Sequence, residues 1–361
     1  MKIGLLTGGG DCPGLNAVIR AVTRTAIAEG GAMIIGIEDG FEGLYTGRTR
    51  RLRYGEVAGL LGEGGTVLGT SNKGDPWHFP VLQPDGGVRI EDVSPRIVER
   101  IRATGIDVLV VIGGDGSMKI AQRLAAQGVA IVGVPKTIDN DLPATDLTFG
   151  FDTAVGVISE AIDRLRTTAS AHHRVMLVEV MGRTAGWLAL AGGLSGGADA
   201  ILLPEIGFQW DPLVRHLQSR ATRGRRYSIV CVAEGTPLPE GDQVVQRLDV
   251  RRTDARQFGG IAARIAQEIE QRSGLEARAV VLGHLQRGGS PSAADRLLAT
   301  RFGVQAARAA LAGRQGVMVS LRGQSVIEVP LAQAAQGVRL VPADHEWLNA
   351  ARAIGIHLGR D

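Results

Sequence analysis

The sequence predicts an α/β protein made of two doubly wound, Rossmann-like domains, and three observations lead there. Short continuous apolar runs recur along the chain, separated by segments long enough for helices. That is the rhythm of βαβ units in a parallel sheet buried on both faces. Glycine accounts for 51 of the 361 residues and falls at the ends of those runs, where tight turns and close approaches to anions occur. Apolar residues make up 44% and charged residues 21%, enough for a sizeable core and a wetted surface, which excludes a mainly disordered chain.

Taken in order, Ile3 to Leu6 is the first strand, Thr7 to Asp11 a glycine loop, Leu15 to about Glu29 a helix and Ala32 to Ile37 the next strand. The unit recurs as a strand at Val108 to Ile112, a helix from Ser117 to Gln127 with Ser117 as its cap, and a strand at Ala130 to Val134. A helix over 151–168 follows. Strands are expected at 174–180, 227–233, 279–282 and 316–321, with helices at 259–272 and 295–311 between them. Pro76, Pro80, Pro84 and the Gly86-Gly87 pair mark 72–90 as an exposed excursion or small hairpin, and Pro237 begins another. The chain is expected to form a first domain over 1–149, a second over 150–286, a return to the first over 287–337, and a terminal segment, 338–361, packed on the second.

Several function classes fall away on composition. No apolar run approaches 18 residues, so no membrane span is expected, and the apolar start at Met1 is too short for a signal sequence. A cytoplasmic protein is the expectation. Cys12 and Cys231 are too few for a disulfide framework or a structural zinc site. The 40 basic residues, only four of them lysines, nearly balance 37 acids and form no stripe, so nucleic acid is not an expected partner.

Chemistry concentrates just after the apolar runs, where ligands gather in such folds. Gly8 to Gly14 opens a helix, and N–H groups at a helix start cradle anions. Its spacing is not Gly-x-Gly-x-x-Gly, Pro13 removes a donor and Asp11 crowds a pyrophosphate, which argues against nicotinamide or flavin binding. Gly113-Gly114-Asp115-Gly116-Ser117 repeats the geometry and sets Asp115 where a magnesium ion can sit between phosphate oxygens. Lys136-Thr137-Ile138-Asp139-Asn140-Asp141 then brings two carboxylates and a lysine to one strand end. Like charges that close need a shared cation or proton, so one acid can bind or orient Mg²⁺ and the other accept a proton from a hydroxyl nucleophile; the spacing by itself points to phosphoryl or carbonyl chemistry with a cation.

Through these and further stretches the chain resembles the bacterial 6-phosphofructokinase family, whose members use ATP or pyrophosphate. The match runs in order through TGGGDCPGLNAVIR (7–20), EGGTVLGTS (63–71), IGGDGS (112–117), PKTIDND (135–141), FGFDTA (149–154), EVMGR (179–183), AEG (233–235) and LGHLQRGGSP (282–291). The resemblance implies Asp139 as the catalytic base, Arg183 as the transition-state arginine, and Gly10 and Thr137 around the migrating phosphoryl group. It implies Asp115 as the magnesium-associated acid, and Gly114, Gly116, Ser117, Lys73 and Lys136 on the donor side. Asp141, Met181, Gly182, Glu234, His284 and Arg287 would meet the sugar phosphate. Arg174 and Arg278 would reach the 6-phosphate of a neighbouring subunit, which implies a homodimer or homotetramer with shared sites. The first domain and its return become the donor side, the second the sugar-phosphate side. His172 and His173 are expected to pack near the next strand, and Arg20 and Arg24 match positions that can contact an effector.

The donor signature is mixed. The resemblance pairs glycine at position 116 with ATP users and lysine at position 136 with pyrophosphate users. An aspartate at 116 would obstruct an α-phosphate, whereas a lysine suits either polyphosphate. The expectation is therefore ATP with Mg²⁺, pyrophosphate being the alternative. A nicotinamide oxidoreductase and a noncatalytic sugar-phosphate sensor are the rivals. Asp115, Asp139 and Arg183 speak against the sensor, because sensing needs no base.

Overall fold

The structure, a computed structural model, describes residues 1–83, 86–241, 243–248 and 256–360. The first part of the chain holds β1 (Lys2–Thr7), α1 (Leu15–Gly30), β2 (Met33–Ile37), α2 (Phe41–Thr46), β3 (Thr49–Leu52), β4 (Phe79–Leu82), β5 (Val88–Glu91), α3 (Ser94–Thr104), β6 (Val108–Gly113), α4 (Asp115–Ala126) and β7 (Ile131–Pro135). Then come α5 (Phe151–His172), β8 (Val175–Val180), α6 (Trp187–Ser195), β9 (Ala200–Leu202), α7 (Trp210–Thr222), β10 (Ser228–Ala233), β11 (Val245–Leu248), β12 (Arg256–Phe258), α8 (Ile261–Ser273) and β13 (Ala277–Val281). The last stretch holds α9 (Ala293–Leu311), β14 (Val317–Arg322), β15 (Ser325–Pro330), α10 (Leu331–Ala334) and α11 (Glu346–Ala353).

The larger sheet runs β15-β14-β7-β6-β1-β2-β3 and the smaller runs β13-β8-β10-β9. In the larger, β14, β7, β6, β1 and β2 are mutually parallel, and antiparallel β3 and β15 close its edges. The smaller is parallel throughout. Parallel strands are covered by helices on both faces, and β6 (VLVVIG) is buried at every residue. Its alternate side chains divide accordingly: Val108, Val110 and Ile112 join the core under α1 and α9, while Leu109 and Val111 join the one under α3 and α4. From β1 the chain steps to β2 on one side and later to β6 on the other. That reversal opens a crevice at the carboxyl ends of β1 and β6. The C-terminal segment lies along the smaller sheet, with His357 bridging to Ala200 beside β9.

The predicted parallel α/β architecture is present, and the differences are local. The helix after β6 starts at Asp115, two residues earlier than expected; extended Gly114 precedes it and no side chain caps it. Ser117 is therefore inside the first turn and does not cap. α5 continues to His172 and stops where His173 takes a left-handed turn at φ 57°. Both histidines are exposed, so they do not pack. β4 and β5 form the small antiparallel hairpin of the 72–90 excursion; Pro84 lies outside the described residues. Among the described residues no helix is long and apolar enough to cross a membrane.

Candidate active site

Three loops at the carboxyl ends of neighbouring strands form the floor of the crevice. Gly8 N–H donates to the Ile112 carbonyl at 2.9 Å, and Lys136 N–H to the Gly113 carbonyl at 2.9 Å, so the turns after β1, β6 and β7 are knitted together. Thr70 Oγ1 donates to the Gly9 carbonyl at 2.6 Å from the side. Ser117, expected among the donor-binding residues, is buried beneath this junction. A methyl group on Gly8 would come within 2.6 Å of its hydroxyl.

Lys136 does something its sequence position did not disclose. Its ammonium reaches inward, donating to the Gly8 carbonyl at 2.9 Å and also to the Gly10 carbonyl. Burial pulls its pKa down to about 8. Two of its three donors thus tie the glycine loop. Lys73 is exposed, and its backbone N–H donates to Ser71 Oγ at 3.2 Å.

The acids gather above that floor. Asp115 pairs through Oδ2 with Lys119 Nζ at 2.8 Å, while its Oδ1 is buried with no hydrogen-bond partner. Asp139 Oδ1 is buried and unpartnered as well. A buried carboxylate oxygen in that state calls for a cation or a donor supplied by a ligand. The turn holding Asp139 is shaped by its neighbours: Asp139 N–H donates to Thr137 Oγ1 at 3.0 Å, and Asn140 adopts φ 51°. Burial pushes the Asp141 carboxyl up to about 7, with the charges of Asp139 and Asp115 adding to it and Arg183 opposing.

The smaller sheet aims its strand ends at the same place. Glu234, after β10, is pushed up to about 8 by burial first, then by Asp139 and Glu179, with Arg183 and Arg287 pulling it back. The Arg183 backbone sits so close to Gly235 that a Cβ there would come within 1.7 Å of the Arg183 carbonyl oxygen. Arg287, on the short 3-10 turn Gly283–Arg287, crosses to the other side, where its Nη1 donates to the Asp11 carbonyl at 2.9 Å. A Cβ on Gly10 would lie 2.8 Å from that nitrogen, so a larger residue there would push the guanidinium aside. His284 on the same turn is exposed.

Two buried polar residues were passed over in the sequence. Gln286 accepts from Met181 N–H at 3.3 Å and donates to the Gly283 carbonyl at 3.1 Å, fixing the loop of Met181, Gly182 and Arg183. The Glu179 carboxylate accepts from Gly260 and Ala262 N–H groups, each at 2.9 Å, and so caps α8. Only the burial of a polar side chain among apolar neighbours, as in VMLVEV, could have signalled either.

Arg174 and Arg278 are not brought to the cluster. Arg174 precedes β8 and pairs with Glu276 at 2.9 Å; Arg278, near the start of β13, pairs with Glu270 at 2.7 Å and Glu276 at 2.6 Å. Both lie towards the amino ends of the smaller sheet; at roughly 3.3 Å per residue, Arg174 is about 20 Å and Arg278 about 13 Å from the carboxyl end of β8.

The crevice therefore unites glycine-loop amides, a charge-frustrated set of acids and two arginines, a constellation suited to moving a phosphoryl group onto a hydroxyl. A family model described as phosphofructokinase matches residues 2–310. The chain belongs to the phosphofructokinase family. An ATP-dependent 6-phosphofructokinase 2 of Streptomyces coelicolor is 48% identical over 344 residues, 95% of this chain and 97% of the relative. One of the same name from Clostridium perfringens is 46% identical over 98% of this chain and 97% of its own. Among solved structures, a pyrophosphate-dependent phosphofructokinase from Nitrosospira multiformis superposes with a TM-score of 0.81 at 22% identity, covering 99% of this chain and 92% of that one; it shares the fold.

For this phosphofructokinase chain the raised Glu234 carboxyl has a measurable consequence. An acid whose folded pKa lies near 8 instead of 4.5 contributes stability that is complete below about 4.5 and lost as pH rises through about 8. Glu234→Gln removes the titration. The ligand-free variant is expected to match the unsubstituted protein at pH 5 and to melt several degrees higher at pH 9. Equal Tm differences at both pH values would mean that Glu234 carries no buried charge.

Proposed function

We infer that the chain transfers the γ-phosphoryl group of ATP to the 1-hydroxyl of fructose 6-phosphate, giving fructose 1,6-bisphosphate and ADP in glycolysis. The observation that carries this is kinship over nearly the whole chain, 46% and 48% identity, with relatives named ATP-dependent 6-phosphofructokinase. Segments 1–149 and 287–337 form the donor side, and 150–286 the sugar-phosphate side. The place of action is the cytoplasm.

Within the site, Asp139 accepts the proton of the 1-hydroxyl as that oxygen bonds to the γ-phosphorus. The bond from the γ-phosphorus to its bridging oxygen breaks, and the electron pair leaves with ADP. Arg183, the Gly10 amide and Thr137 stabilise the charge that spreads over the equatorial oxygens. Gly114, Gly116 and the Lys136-braced glycine loop receive the donor phosphates, with Lys73 at the rim. Met181, Gly182, Asp141 and Glu234 hold the sugar, and His284 and Arg287 its 6-phosphate.

Asp115 would hold Mg²⁺, which when bound screens the donor phosphates from one another. Its buried, unpartnered Oδ1 fits that role. Among the described residues no three His, Cys, Asp or Glu side chains converge into a complete cage. The far-end placement of Arg174 and Arg278 supports their serving a neighbouring subunit, in a homodimer at least and a homotetramer in the fuller form.

Initial rates of fructose 1,6-bisphosphate formation with ATP and with pyrophosphate test the donor. Turnover is expected with ATP, and pyrophosphate-only turnover would overturn it. Gly116→Asp should then cut ATP use by roughly 100-fold or more, since like-charge juxtaposition costs several kcal/mol and each 1.4 kcal/mol is a factor of ten. A variant that keeps its ATP rate would refute the steric argument.

A further inference from the structure

The C-terminal segment reaches the catalytic turn through one side chain. Arg339 donates to the Asn140 carbonyl from Nε at 3.2 Å and from Nη2 at 2.8 Å, and to the Asp146 carbonyl from Nη1 at 2.9 Å. Its own backbone N–H donates to the Asp141 carbonyl at 2.7 Å. On its other side, the Arg339 carbonyl accepts from Trp187 Nε1 at 2.8 Å, and the guanidinium carbon stands 4.6 Å from the centroid of the Trp187 ring. Two residues on, Val341 N–H donates to Glu205 Oε1, the carboxylate oxygen that also accepts from Gly186 N–H at 2.9 Å.

These contacts fall on the two segments whose relative placement matters most. Asn140 separates Asp139 from Asp141 and is held in the left-handed region, where a residue with a Cβ persists only if its surroundings over-determine it. Thr148 N–H fixes the Asn140 side chain at 3.1 Å, and Arg339 fixes its carbonyl. Trp187 begins α6, four residues after Arg183. A planar fork spans two carbonyls and a ring face at once, which an ammonium cannot do.

We propose that Arg339 is a positioning residue for phosphoryl transfer, setting the angle of the Asp139–Asp141 turn against the Arg183–Trp187 segment. It touches neither substrate and acts through the backbone it grips. The proposal rests on Asp139 being the base, and Asp139→Asn tests that separately. Full turnover in Asp139→Asn removes the role and the proposal with it. Lost turnover there, with unchanged Arg339 variants, overturns the proposal alone.

The experiment compares Arg339→Lys and Arg339→Ala with the unsubstituted enzyme in kcat, in KM for fructose 6-phosphate and ATP, and in Tm. A misplacement of about 1 Å costs on the order of 100-fold, so kcat should fall roughly 10- to 100-fold in both, with each KM within about threefold. Guanidinium added at millimolar concentration should raise kcat of the alanine variant and leave the unsubstituted enzyme unchanged. A folded variant with a lower Tm but kcat within about twofold of the starting enzyme would show a structural strut only, and overturn the proposal. Should the alanine variant fail to fold, the lysine variant decides by the same criterion.

Discussion

Asp139→Asn is expected to lower kcat by about 10²–10⁴-fold while leaving fructose 6-phosphate binding measurable, the range that loss of a positioned general base produces. The substitution keeps the shape of the side chain and the backbone bond from Asp139 N–H to Thr137 Oγ1. It removes the ability to take a proton and, with it, the carboxylate charge. Burial and its acidic neighbours push the Asp141 carboxyl up to about 7. With the Asp139 charge gone, that carboxyl should titrate lower. Steady-state kinetics combined with calorimetric binding of fructose 6-phosphate separate the two effects. Near-normal turnover in the variant would sink the assignment of the base.

Lys136→Met carries the second large effect, and it divides two roles for the same side chain. If the ammonium served only to clamp donor phosphates, its removal would raise the KM for ATP and leave the ligand-free protein as stable as before. The observed bonds to the Gly8 and Gly10 carbonyls predict otherwise. Each buried carbonyl left without a donor costs about 1–3 kcal/mol, partly offset because methionine does not bear the desolvation that pulls Lys136 down to about 8. A net loss of roughly 1–3 kcal/mol is expected in the ligand-free protein, read as a lower Tm. Turnover should fall about 100-fold as the loop loses its shape. An unchanged Tm with an ATP KM raised alone would restore the clamp.

The parts of the molecule that could be read from the sequence are those where local pattern and burial agree. A strand such as VLVVIG, covered on both faces, has to be continuously apolar, and the glycine or acid that ends it marks the edge where side chains meet ligand. That is why Asp115 and Asp139 could be set at strand ends before the fold was known, whereas Glu234 came only through the resemblance. The start of α4 was misplaced because serine is a common cap, whereas here the packing of Ser117 under Gly8 draws it into the first turn. The inward bonds of Lys136 were not legible for a related reason, since residue type and position give no side-chain direction. Arg339 lies about 200 positions from the turn it holds, and no local periodicity encodes such a contact. Arg174 and Arg278 stand at the starts of strands already expected from the sequence, so their distance from the carboxyl ends was legible there.

One guanidinium joins the two halves of the crevice. Arg287 Nη1 is engaged with the Asp11 carbonyl, on the loop after β1, while the residue itself stands on the 3-10 turn after β13. On the proposed reading, a sugar phosphate that took this N–H would release the loop from one of its restraints, whereas one held by the guanidinium's other donors would leave the bond in place. Where the N–H is exchanged, linkage makes the influence of the two substrates on each other equal in both directions.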